Sequence, residues 1–261
     1  MTMQTATHIA AKTGDDRLLI VRLTELANLH AEWGHYAQAR EIVDQAKTHC
    51  LKVPALERLA DYRLANICLW SGDPDEAIQR FSTVLESQDL PPALEIEAHT
   101  YRGWAYAQVG EFAAGRADLR HSLQLSRGRQ LFTTFTILAR ADLERLAGDD
   151  VQTRRSLRDS VRMALASTDL LKLTRAIWLT AAYMDDARIA EADHEAGQVR
   201  LESLAKMSWM CRQATGLPSW PLDDDRFDRW AAIERTVGED LTDRAGLIKA
   251  TADQAVALLM K

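Results

Sequence analysis

Turn-forming residues are scarce in this chain. Only 12 Gly and 6 Pro among 261 residues leave little room for the many tight turns of an all-β fold. The three cysteines, Cys50, Cys68 and Cys211, are odd in number, widely spaced and without a CxxC pair, so no disulfide framework is expected. The longest apolar stretches, such as AIWL and AVALLM, fall far short of the roughly 20 residues that span a bilayer. The opening MTMQTATHIAAKTGDD has neither the charged head nor the continuous apolar stretch of a signal peptide. These absences lead to the expectation of a cytoplasmic protein with reduced thiols and no membrane partner.

Signatures of chemistry are missing as well. The chain has no GxSxG, no HExxH and no GxxxxGK[ST] phosphate loop. The nearest approach to that loop, GEFAAGRA (110–117), lacks the lysine and the hydroxyl residue. Of the seven histidines, His49 is adjacent to Cys50, which on a helix points the two about 100° apart. His30 and His35 are five apart and share a helix face poorly. Acidic pairs such as Asp149-Asp150 read as helix N-termini. The expectation is therefore no metal, no cofactor and no catalytic residue: the chain is not read as an enzyme. A net charge of −6 argues against nucleic acid as the main partner.

What is present is a repeat. Gly34, Gly72, Gly110 and Gly148 recur every 38 residues, each followed by a polar or acidic turn. Seven residues before each glycine stands a small residue: Ala27, Ala65, Gly103, Ala141. Five after it come Ala39, Ala77, Gly115 and Thr153, and nine after it Val43, Phe81, Leu119 and Leu157. The pattern predicts helical hairpins: small residues let two antiparallel helices approach, the apolar column packs against the next pair, and the glycine ends the first helix. Asp73-Pro74 and Asp149-Asp150 then open the second helices. The segment AEWGHYAQA (31–39), with Trp33, His35 and Tyr36 around Gly34, could be taken for an aromatic and imidazole pocket. The repeat makes it one of four equivalent turns, with Tyr36 and Ala39 packing the hairpin and His35 facing water.

These columns resemble the tetratricopeptide (TPR) family. The family's small–Gly–aromatic–Ala–apolar pattern is matched by Ala27-Gly34-Tyr36-Ala39-Val43, by Ala65-Gly72-Ala77-Phe81 and by Gly103-Gly110-Phe112-Leu119. The fourth repeat carries Asp150 where an aromatic is usual, and the period exceeds the usual TPR length of about 34 residues. LLKLTRAIWLTAAYM (170–184) followed by Asp185-Asp186 reads as the start of a fifth hairpin. The resemblance covers roughly residues 17–212 and implies an all-α, right-handed superhelix of about five hairpins. The expected organisation is an N-terminal tail (1–14), the repeats (15–213), and a Gly/Pro loop with C-terminal capping helices (214–261). That last segment contains RFDRWAAIERTVGEDL and a TADQAVALLM capping box. It resembles the end of the helical-repeat region of bacterial LuxR-type and other signal-transducing ATPase regulators.

The resemblance also implies where a partner would bind. In TPR proteins the first helices line a concave groove, and ligand-contacting positions recur along them. Carried over by counting back from each glycine, these are Thr24, Asn28 and Glu32; Tyr62, Asn66, Leu69 and Trp70; Thr100, Trp104 and Gln108; and Leu138, Asp142 and Arg145. The asparagines suit hydrogen bonds to a peptide backbone, and the aromatics suit stacking, although Trp70 and Trp104 could equally be packed between hairpins. Thr24 and Tyr62 stand where a carboxylate clamp of this family carries lysine. The leading expectation is a non-enzymatic module binding a protein or peptide segment, in bacterial signalling or transcriptional regulation. The alternative is a small-molecule inducer sensor with a pocket around Trp70 and Trp104, and a homodimer through the C-terminal helices is a third reading. Between Arg116 and Arg162, ten arginines oppose six acids, which reads as a solvated face or as a docking patch for an acidic protein surface.

Overall fold

The computed structural model describes residues 3–167 and 170–185. Its regular structure is helical throughout, and no strand occurs among the described residues. The elements are α1 (Met3–Thr13), α2 (Asp16–Glu32), α3 (Tyr36–Cys50), a 3-10 turn (Pro54–Leu56), α4 (Glu57–Trp70), α5 (Pro74–Leu85), α6 (Pro92–Gln108), α7 (Phe112–Leu125), α8 (Gln130–Leu146), α9 (Asp150–Ser167) and α10 (Leu170–Asp185). The chain divides into two compact units, Met1–Leu125 and Ser126–Lys261. The second half of the expected fifth hairpin and the expected capping helices lie outside the described residues.

Four hairpins, α2–α3, α4–α5, α6–α7 and α8–α9, follow from the four glycines. At each glycine φ is positive, +75°, +84°, +81° and +74° in chain order. The turn after Trp70 shows why. Gly72 donates its N–H to the Leu69 carbonyl at 3.2 Å, and Asp73 donates to the Cys68 carbonyl at 2.9 Å. This is the Schellman closure of a helix, which needs a left-handed residue and so favours glycine. The same two bonds recur at the other three turns, through His35, Glu111 and Asp149. In the second and fourth hairpins the next helix is then capped by an acid. Asp73 Oδ1 accepts from the Glu76 N–H at 3.1 Å and Asp149 Oδ1 from the Gln152 N–H at 3.0 Å, satisfying donors that a helix start leaves free.

The period of 38 has a simple structural origin. The helical segment before each glycine begins at Asp16, Pro54, Pro92 and Gln130 and ends at Glu32, Trp70, Gln108 and Leu146, so both its boundaries recur with the glycines. In the second hairpin the opening turn is 3-10, with Pro54 at its start, and runs directly into α4. All twelve residues of the three flanking columns are buried. Gly103 shows how tight the approach is. A Cβ built there would stand 2.9 Å from Leu119 Cγ and 3.1 Å from the Gly115 carbonyl oxygen.

Two local expectations are corrected. Residues 3–13 of the anticipated N-terminal tail form α1, which packs on α2 with Ala10 buried and closes at Gly14, φ +70°. His30 and His35, expected to diverge, have ring centroids 5.7 Å apart. They belong to one turn rather than one helix, and the His35 N–H returns to the His30 carbonyl at 2.8 Å.

Gly103→Ala should destabilise the chain by about 1–3 kcal/mol through overpacking against Leu119 and the α7 backbone. Gly72→Ala, in open space but at positive φ, should cost about 1–2 kcal/mol through backbone strain alone. Chemical denaturation measures both, and restoring room with Leu119→Ala should reduce the cost of the first change but not of the second.

Candidate functional site

Within the first unit, the first helices pack beside one another, α4 against both α2 and α6. Residues at i, i+4 on these helices therefore form a common face. On it runs a chain of polar side chains. Asn28 Nδ2 donates to Glu32 Oε1 at 3.2 Å, and Arg63 Nη1 donates across to Asn28 Oδ1 at 3.1 Å. The Arg63 guanidinium also lies over the Tyr62 ring, 5.0 Å from its centroid. Next along α4 is Asn66, only 1% exposed, whose amide touches the Tyr62 hydroxyl and makes no other hydrogen bond. Arg63 Nε is buried and unpartnered. Arg63 and Asn66 are three apart on one helix, so these open groups are neighbours on the same side.

Beneath this chain lies a cluster of five aromatic rings. Tyr62 meets Phe81 at 5.9 Å and Tyr101 at 6.2 Å between centroids, and Phe81 stacks on Tyr101 with 11° between planes. Trp70 meets Trp104 edge to face at 5.8 Å, and Tyr101 contacts both indoles. Burial, then the nearby Glu97 carboxylate, raises the Tyr62 phenol well above its ordinary value, so it stays protonated and donates to Glu97 Oε2 at 2.8 Å. Tyr62, Trp70 and Trp104 are buried, and the two indole rings fill the space next to each other.

The residues inferred from the resemblance thus fall into three groups. Asn28, Glu32 and Asn66 lie on the polar chain, and Tyr62, Trp70 and Trp104 form the aromatic floor. Thr24, Leu69 and Thr100 are buried, and Gln108 is half-buried at the end of α6. Asp142 and Arg145 belong to the second unit, where Arg145 Nη2 pairs with Asp142 Oδ1 at 2.8 Å, and Leu138 is buried there. Sequence reading missed Arg63, Glu97 and Tyr101. Their signal was available in the helix period, since Arg63 stands one residue after Tyr62, and Tyr101 and Glu97 stand three and seven residues before Trp104. The arginine-rich stretch is partly engaged internally. Arg140 Nε donates to Ser156 Oγ at 3.1 Å, and Arg154 Nε to the Tyr183 hydroxyl at 2.8 Å.

Other chemistry-bearing groups lie apart from this face. Cys50 and Cys68 are free and buried, and burial pushes both thiols up, so neither is a ready nucleophile. A cavity of about 480 Å³ opens between α1, α2 and α3, lined by Thr7, His8, Leu19, Leu23, Gln45 and His49 among others. On the α6–α7 side, Arg102 clasps Asp118 with Nε to Oδ2 at 2.7 Å and Nη2 to Oδ1 at 2.8 Å, while His99 Nδ1 lies 2.8 Å from Oδ1. Burial alone would raise the Asp118 carboxyl, but the Arg102 and His99 hydrogen bonds outweigh it and hold it below its ordinary value.

Because the folded-state carboxyl is depressed, Asp118 stabilises the fold above the ordinary aspartate range, about pH 4, and this stabilisation is lost as pH falls through the lowered value. Asp118→Ala leaves Arg102 without its partner and should cost about 3–5 kcal/mol at neutral pH. Denaturation of the two proteins at neutral pH and near pH 3 should show the difference shrinking in acid.

No family model matches the chain, nor does any curated protein or solved structure, so the reading of this face rests on its own residues.

Proposed function

We propose that the chain is a non-enzymatic interaction module that takes an extended protein or peptide segment across the face of α2, α4 and α6. The observation that carries this is the buried amide of Asn66, whose hydrogen-bonding capacity is left unfilled beyond the Tyr62 hydroxyl, beside the unpartnered Nε of Arg63. A buried polar group without a partner costs about 1–3 kcal/mol, so such groups call for an explanation. Here a donor from arginine and both a donor and an acceptor from an amide stand together above an aromatic floor. A peptide group offers the matching acceptor and donor, and side chains flanking it would meet the rings. Because Asn66 is buried, admission of a peptide requires the side chains that cover it to move.

This reading takes the hairpins as TPR-like units of a right-handed superhelix and the face as its groove. It is supported by four repeated Schellman turns, by the buried small-residue columns and by the lateral packing of the first helices. A role in bacterial signalling or transcriptional regulation belongs to the same reading. A small-molecule sensor is favoured by one observation, the cavity between α1, α2 and α3, which has the size of a ligand pocket. A thermal-shift screen of metabolites on the intact chain tests it: a hit must be lost on filling the cavity with Leu23→Trp.

Asn66→Leu tests the main proposal because it separates stability from binding. Replacing a buried, incompletely hydrogen-bonded amide by an apolar side chain of similar size should raise stability by about 1–3 kcal/mol in denaturant titrations. The same change should weaken binding of peptides selected from a random-sequence array by at least about tenfold, a difference of about 1.4 kcal/mol. Arg63→Ala should also lose those peptides. A destabilised Asn66→Leu, or selected peptides that bind it unchanged, would overturn the assignment.

A further inference from the structure

A second group of side chains converges on the α6–α7 side of the first unit. Glu95 and His99 are one turn apart on α6, and His121 reaches across from α7. One ligand-capable atom from each lies within 4.8 Å of the other two. His121 Nε2 is 3.9 Å from Glu95 Oε1, and the two imidazoles meet with centroids 4.5 Å apart and planes at 66°. As a bare surface pair, His121 and Glu95 are too far apart for a hydrogen bond and contribute little to stability.

The environment of His99 gives the group its direction. Its Nδ1 faces Asp118, a carboxylate that two Arg102 nitrogens hold in place and that stays ionised through those contacts. An ionised carboxylate only accepts, so Nδ1 carries a proton, and in the neutral imidazole Nε2 is then the nitrogen with the lone pair. A histidine held by a carboxylate in one tautomer, its other nitrogen left basic, is the second-shell arrangement that orients metal-ligating imidazoles. His99 is the fixed member, with its side chain 15% exposed, while Glu95 and His121 are 34% and 47% exposed and can move.

We propose that Glu95, His99 and His121 bind one divalent transition-metal ion of the zinc type, with Asp118, clasped by Arg102, as the residue that orients His99. Two imidazoles and one carboxylate favour such an ion over magnesium or calcium, which prefer all-oxygen sets. Three protein ligands leave a fourth tetrahedral position for water or for a group brought by a partner. Metal–ligand bonds of about 2.0–2.2 Å place neighbouring ligands roughly 3.3–3.5 Å apart, so the group must close by less than about 1.5 Å. The two exposed side chains can supply that by rotation. The site is independent of the peptide-binding reading and stands on the opposite side of α6.

The test is a titration of the intact chain with cobalt(II) and, in competition with a chromophoric chelator, with zinc. The expected result is one tight equivalent, a visible cobalt spectrum of tetrahedral nitrogen–oxygen type, and a zinc-dependent rise in the denaturation midpoint. His121→Ala and Glu95→Gln, both at partly exposed positions, should leave the metal-free midpoint unchanged and abolish that equivalent and the zinc-dependent rise. Asp118→Asn, if folded by circular dichroism, should weaken zinc binding by about 10–100-fold without removing a ligand. Equal binding by wild type and His121→Ala, a cobalt spectrum showing thiolate charge transfer, or binding at millimolar concentrations only would each overturn the proposal.

Discussion

The closeness of the two helices within each hairpin is the constraint on which the rest of the structure depends. A Schellman turn closes the first helix with a left-handed glycine and sends the chain back antiparallel. The helices can then lie together only where their facing residues are small, as at Ala27 and Ala39 or Gly103 and Gly115. At Gly103 there is no room even for a methyl group without displacing Leu119 or the backbone. With the intra-hairpin seam filled by small residues, the larger apolar side chains Val43, Phe81 and Leu119 occupy the remaining buried space. Helix exit and packing thus agree at each repeat, which is the local–global consistency of a sequence that specifies one fold.

That consistency makes the exceptions informative. Between α6 and α7 buried polar groups find partners: Thr100 and Ser122 lie 2.7 Å apart beside the Ile96 carbonyl, so one hydroxyl can donate to that carbonyl and the other to its neighbour. Asp118 is held by Arg102 and His99. On α4 the same chain buries an asparagine amide that is only partly satisfied and an arginine nitrogen that is open.

The all-helical class, the turns and the buried columns were legible in the sequence because each depends on local geometry repeated at a fixed spacing. Gly34, Gly72, Gly110 and Gly148 announce positive φ, and the small residues around them announce close helices. The 3-10 turn at Pro54–Leu56 was not legible, since nothing at Pro54 distinguishes a helical turn from a loop. The face was legible in part. Counting from the glycines finds Asn28, Asn66 and Trp104, but burial of Tyr62, Trp70 and Trp104 depends on Tyr101 and Phe81, which come from a neighbouring first helix and a second helix. The Glu95–His99–His121 group was invisible for the same reason. Its members are joined by the register between α6 and α7, which no fixed motif spacing records.

Helix α6 takes part in both arrangements, and its periodicity keeps them apart. Glu97, Tyr101, Trp104 and Gln108 step by three or four residues, as do Glu95, His99 and Arg102. The two series are offset by two residues, roughly 200° around the helix, so they occupy opposite faces. One face carries the carboxylate that accepts from Tyr62 and the rings that floor the polar chain. The other carries the imidazole and guanidinium that meet Asp118 on α7. A change at His121 leaves the α4 contacts of α6 intact, and a change at Asn66 leaves the α7 contacts intact. One helix can therefore serve both as a wall of an interaction face and as the frame of a metal-ligand group, with neither role requiring the other.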